Sequence, residues 1–224
     1  MNYKVIKDEE AFRKFIDWLP DTNGDEQFYY ALFSRKKYDV TRTLKADKAQ
    51  VARGTATKDR LYDKIKKLEV LLGTYKIGNV EIPENTLALY ITPNPRCMRK
   101  ASLKTAKMIL DNIDKGIVRN PKAIALDAVQ VSKSRTVFVD FDFDIRNSDF
   151  DRHIFDILVE ATGNEHCFDI IRTKGGYHTL VRPSQTINKN WHQNISINKS
   201  IDQSGDLLLP MVGCVQGDFV PKFI

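Results

Sequence analysis

Arg135-Thr-Val-Phe-Val-Asp-Phe-Asp-Phe-Asp144 decides how the rest of the chain is read. Valine, phenylalanine and threonine favour the pleated backbone, so the stretch reads as a strand whose side chains alternate between two faces. Asp140, Asp142 and Asp144 then share one face, and Val137, Val139, Phe141 and Phe143 the other. Carboxylates a few ångströms apart on a half-buried strand resist joint ionisation. A divalent cation removes that cost. Hard oxygen ligands suit Mg²⁺ or Mn²⁺, which take one or two protein carboxylates and leave the other positions to water and phosphates.

Downstream, 150–161 has helical periodicity with Ile154, Ile157 and Leu158 inward, and 167–172 reads as a strand. Lys174-Gly175-Gly176 is a tight turn, and 177–182 is the returning strand of a hairpin. Strand, helix, strand, strand is half of a split βαβ arrangement, in which the acidic strand and the hairpin adjoin and His178 faces the carboxylates. Glycine lets a phosphate approach the backbone there, and Arg172 and Lys174 would neutralise it. Upstream, 86–92 is an apolar strand leaving through Pro93-Asn-Pro-Arg96, a loop position suited to binding. Helices are expected over 102–113, with Ala106, Ile109, Leu110 and Ile113 inward, and over 121–131. Nearer the start, 8–19 reads as a helix closed by Pro20 and 27–33 as a strand. The low apolar content of 34–57, interrupted by Gly54, reads as a mobile or ligand-ordered loop, and 58–72 as a helix with Leu61, Ile65, Leu68, Leu71 and Leu72 in one core-facing stripe.

The 224 residues suffice for one large domain or two small ones, and 42% hydrophobic with 29% charged residues is a globular composition. No apolar run approaches the length of a membrane span, and the first residues run into Asp8-Glu-Glu10 instead of an apolar signal core. Those features point to a cytoplasmic protein with no membrane partner. Cys97, Cys167 and Cys214 are odd in number and widely spaced, against a disulfide framework or a cysteine zinc site. Charge is uneven: residues 1–120 hold 24 Lys and Arg against 16 Asp and Glu, and 34–67 alone hold 12 against 4. A cluster of that kind is the footprint of a polyanion, nucleic acid being the usual one.

Together these residues resemble the archaeo-eukaryotic primase superfamily, in particular the primase-polymerases of plasmids, phages and mobile elements. The resemblance rests on a hydrophobic strand ending in Asp-x-Asp, here Val139-Asp-Phe-Asp142, and on a glycine hairpin leading to histidine, here Thr173-Lys-Gly-Gly-Tyr-His178. It rests also on an acid before a Leu-Pro-x-x-Gly strand, here Asp206-Leu-Leu-Leu-Pro-Met-Val-Gly213, with Asp202 and Asp218 as substitutes, and on the Asn94-Pro-Arg96 segment. The serine usual in the second motif is replaced by Thr173 or Lys174, and no zinc-binding cysteines accompany the motifs.

The resemblance covers 86–224. It implies an α+β fold: an RRM-like (split βαβ) catalytic sheet in 86–224, fused to an N-terminal α/β subdomain, 1–85, whose basic segment 34–67 faces nucleic acid. It implies a DNA primase or primase-polymerase performing two-metal nucleotidyl transfer, with Mg²⁺ or Mn²⁺ held by Asp140, Asp142 and Asp206, and Asp144 behind them. His178 would contact the triphosphate together with Arg172, Thr173, Lys174, Gly175 and Gly176. Arg35, Lys36, Lys37, Arg42, Lys45, Lys48, Arg53 and Arg96 would track a single-stranded DNA template and its primer. A helicase would be a separate chain. Two other readings use the same residues: a non-catalytic RRM-like nucleic-acid-binding module, and a metal-dependent nuclease.

Overall fold

The computed structural model describes residues 1–143, 150–196, 201–203 and 208–224, with 150–153 and 201–203 described by backbone alone. Helix α1 (Glu9–Trp18) is followed by strands β1 (Glu26–Arg35) and β2 (Lys48–Ala56), helix α2 (Leu61–Lys66), the short hairpin β3 (Lys76–Ile77) and β4 (Val80–Glu81), and strands β5 (Leu87–Ile91) and β6 (Arg96–Cys97). Helices α3 (Met98–Asp114) and α4 (Pro121–Gln130) precede β7 (Val139–Phe143), α5 (Phe150–Thr162), β8 (Phe168–Arg172) and β9 (Tyr177–Val181). The chain continues through α6 (Trp191–Ser196), β10 (Ile201–Gln203), β11 (Leu209–Pro210) and β12 (Lys222–Phe223). The fold is mixed α+β, and every strand pair among the described residues is antiparallel.

The first sheet has the order β11-β5-β1-β2, with β6 also on β1. Its central strand β1 is buried on both faces, which is why it reads as an unbroken apolar run. Phe28, Tyr30 and Leu32 join the main core, whereas Tyr29, Ala31 and Phe33 join a smaller cluster on the other face. Asp8 starts α1 by accepting from the Ala11 amide at 3.0 Å, Glu9 and Glu10 complement the helix dipole, and Phe12 and Phe15 are buried beneath.

Three expectations from the sequence are corrected here. The supposed loop 34–57 contains β2, an edge strand paired along β1. Its small, polar residues suit an edge, and Gly54 is there because a Cβ would lie 2.5 Å from the Tyr30 hydroxyl. The supposed helix 58–72 stops at Lys66. Glu69 accepts from the Val5 and Ile6 amides at 3.0 and 2.9 Å and draws the chain against the N-terminal segment, leaving Leu71 and Leu72 exposed. In α3, Ala106, Leu110 and Ile113 are exposed instead of inward. The first sheet continues past residue 85, with β5 paired to β1 and β11 to β5.

The second sheet has the order β10-β7-β9-β8-β12. Strand β9 lies between β7 and β8, so those two run parallel without touching. Helices α5 and α6 cover one face, packing Ile154, Leu158 and Ile195 against Phe141, Phe143, Ile170 and Val181. On the other face Ile171 and Leu180 enter the main core.

Gly213 ties the C-terminal segment to α1: its carbonyl accepts from the Lys7 and Asp8 amides, both at 2.9 Å. Its φ is +77°, and an added Cβ would stand 2.5 Å from the Phe12 nitrogen. Gly213→Ala is expected to lower unfolding free energy by about 3 kcal/mol, from backbone strain plus a clash that no side chain can relieve. Gly24, with φ +56° and nothing within 4 Å of an added Cβ, serves as the control. There the same change costs about 1 kcal/mol. Urea denaturation of the two variants checks the contrast.

Candidate functional site

The register of β7 on β9 places Asp142 opposite His178 and Asp140 opposite Leu180. Directly opposed residues of antiparallel strands project from the same face, so both carboxylates and the imidazole share it. His178 Nδ1 lies 3.0 and 3.1 Å from the two oxygens of Asp140, and its Nε2 lies 3.7 Å from Asp142 Oδ1. Asp140 is 3% and His178 8% exposed, whereas the Asp142 side chain keeps 37% of its surface open to solvent. Asp140 engages Nδ1, which leaves Nε2 turned towards Asp142. Across β7 the register brings the Asp202 position opposite Asp142. Asp206 and Asp144 lie outside the described residues. Asp218, the other substitute, is ion-paired to Lys174 and lines a separate depression.

Buried polar side chains hold this pair of strands in place. The Asn94 carboxamide oxygen accepts from the Val137 and Phe138 amides at 2.7 and 2.9 Å, and its nitrogen donates to the Phe138 carbonyl at 2.9 Å, which fixes the entry to β7. Arg135 pairs with Glu26 at 3.1 Å and ties the same entry to the first sheet. At the other end of the hairpin, the Thr173 amide donates to the Gly176 carbonyl at 2.8 Å, and the Lys174 amide donates to Gln216 Oε1 at 2.8 Å. The Asn94-Pro-Arg96 segment stood out in the sequence without its carboxamide being given this positioning role, and Gln216 carries no sequence signal, because a carboxamide becomes legible only through its partners.

A cleft of about 260 Å³ opens in front of Asp142 and His178. Thr173 and Gly175 border it on the same side, Arg35, Lys48 and Tyr90 border it from the first sheet, and Lys37 borders it from the turn after β1. Arg35 and Lys48 are direct partners in the β1–β2 register. Arg35 donates to the Tyr90 hydroxyl at 2.9 Å, and the Lys48 ammonium sits 4.2 Å from the Phe33 ring centroid. Burial, then the charges of Arg35 and Lys37, push the Lys48 pKa below its ordinary value. The two walls therefore carry opposite charge.

The remaining sequence candidates divide. Lys36 and Lys45 are exposed on the loop after β1, and Arg42, with Lys174, lines the neighbouring depression of about 420 Å³. Arg53 is engaged by Asp127 at 2.5 Å, away from the cleft. Arg96 is fully buried between β1 and the Lys133 bridge, which removes it from any backbone-tracking surface. Arg172 stands opposite Tyr177, whose ring packs in the cluster under α5, so it projects to the other face of the sheet from His178. Gly176 closes the turn.

Asn94→Ala, by stripping three hydrogen bonds from a buried segment, is expected to cost about 2–3 kcal/mol in urea denaturation. The loop after β1 has its own test. Asp39 accepts from the Thr41 hydroxyl, then the Leu44 and Thr41 amides and the Thr43 hydroxyl, which holds its pKa at about 2 against an ordinary 3.8. A depressed carboxylate pKa contributes order that is complete above about pH 4 and lost as pH falls through the folded value. Amide exchange at Leu44 should therefore accelerate as pH is taken from 4 towards 2, beyond the intrinsic dependence, and Asp39→Ala should remove that step.

Compared with protein-family models, with curated proteins and with solved structures, the chain finds no match.

Proposed function

We propose that the chain is the catalytic unit of a DNA primase or primase-polymerase, joining nucleoside triphosphates to a 3′-hydroxyl on a single-stranded DNA template. The observation that carries the reading is the His178 imidazole held between Asp140 and Asp142, on a face that opens to a cleft walled by Arg35, Lys37 and Lys48. The strand order β10-β7-β9-β8, with α5 and α6 on one face, supports assigning the second sheet to the RRM-like, split βαβ class.

Among the described residues no group of three His, Cys, Asp or Glu is close enough to hold a metal ion through protein ligands alone. Asp140 and Asp142 nevertheless fit Mg²⁺ or Mn²⁺, which need only one or two carboxylates when water and phosphate complete the sphere. Asp202 is the third acid favoured by register, with Asp206 the one favoured by motif. Bound there, the cations would supply charge neutralisation at the attacking and leaving oxygens.

The chain's own groups account for the rest. His178 Nε2, Thr173 and the Gly175 backbone border the space that a triphosphate would enter, while Arg35, Lys37 and Lys48 would bind and orient its phosphates or those of the strand. Transfer of this kind needs placement and charge neutralisation more than a covalent nucleophile. A helicase would act as a separate chain. No helix among the described residues is long and apolar enough to cross a membrane, and a cytoplasmic setting fits the proposed substrates.

The test is extension of a labelled primer on single-stranded DNA with nucleoside triphosphates and Mg²⁺ or Mn²⁺. Asp140→Asn and Asp142→Asn are expected to slow extension by about two to three orders of magnitude. Circular dichroism should show the fold retained. An Asp142→Asn protein that extends at the wild-type rate sinks the metal assignment, and strand shortening without added nucleotides moves the chemistry to phosphodiester cleavage.

A further inference from the structure

Helix α3 bears an apolar strip on the side turned away from its neighbours. Leu103, Leu110 and Ile113 are 69%, 66% and 69% exposed, and Ile117, just past the helix, is 47% exposed. At 100° per residue Leu103, Ala106, Leu110 and Ile113 fall on one face within about 80°, with the three-four-three spacing of a coiled-coil seam. The buried side of the helix, at Ala101, faces α4 and β6 instead. Ile117 follows directly in the cap that ends the helix: Gly116, with φ +67°, donates to the Ile113 carbonyl at 2.9 Å, and the Ile117 amide donates to the Asn112 carbonyl at 2.8 Å. Contiguous apolar exposure of this kind marks an interaction surface.

We propose that this strip is the seam through which two copies of the chain pair, α3 against α3 in antiparallel sense. The spacing is self-complementary, as a two-fold contact requires. With Leu110 on the axis, Leu103 meets Ile117 of the second copy and Ala106 meets Ile113. Charge selects the same arrangement. Lys107 and Asp114 flank the strip on one side, seven residues apart. Antiparallel pairing about Leu110 brings each Lys107 opposite Asp114 of the other copy. An isologous contact therefore gains two ion pairs at the rim of an apolar line, the usual anatomy of such a seam. The surface is separate from the cleft, so the inference stands independently of the chemistry proposed there.

The test is sedimentation equilibrium of the full chain over a wide concentration range. The mass should rise from the 25.7 kDa of one chain towards twice that value. Leu110→Glu, at an exposed position that leaves the fold intact by circular dichroism, should hold the chain at the single mass. Lys107→Asp should weaken association by about tenfold or more, and adding Asp114→Lys to the same chain should restore it. The inference is overturned by a single-chain mass at every concentration, by a dimer indifferent to Leu110→Glu, or by a double variant that associates no better than Lys107→Asp.

Discussion

A buried carboxylate facing an imidazole across two strands is the constraint on which this structure depends. Asp140 is almost without solvent, and a charge so placed is tolerated only with a partner in register. That requirement specifies how β7 meets β9. A slip of one residue would turn His178 among Phe141 and Phe143 under α5, away from Asp140. Asn94 at one end of the strand pair and the Thr173–Gly176 turn at the other block the slip. The interactions that fix the fold of the second sheet are thus the ones that aim the site.

The two walls of the cleft carry opposite charge. On one, Asp140 and Asp142 flank the His178 imidazole; on the other, burial and then the charges of Arg35 and Lys37 lower the pKa of Lys48. A cleft divided in this way suits a ligand of mixed charge. The phosphate chain with a divalent cation proposed above would have that character, negative towards the lysines and positive towards the carboxylates. The walls come from different parts of the chain, so such a ligand would bridge them.

The sequence revealed this site where its signal was periodic. Alternation along Val139–Phe143 placed the acids on one face, and the glycine turn brought His178 back beside them. It failed where context outweighs local pattern. Arg172 looked equivalent to Lys174, but the same period of two that gathers Asp140 and Asp142 sends it to the helix-covered face. Arg96 looked like a loop cation, yet the chain folds back as β6 and seals it inside. The polar run 34–57 hid a strand because an edge strand needs backbone partners more than apolar side chains, and Gly54 marked a close approach of Tyr30 instead of a break. The stripe in α3 was correctly spaced for burial, but nothing in spacing tells which side of a helix meets its own chain.

The segment from Leu209 to Phe223 supplies an outer strand to each sheet, β11 to the first and β12 to the second. Between them Met211, Val212, Cys214 and Val215 fill the main core. Both sheets therefore close only when this one segment docks, because each takes an outer strand from it. The main-core face of β1 and β5 is covered partly by Phe12, Phe15, Leu61 and Ile65 and partly by this distant segment. Assembly by separate halves is closed to this topology, and pairing between residues so far apart in sequence slows folding.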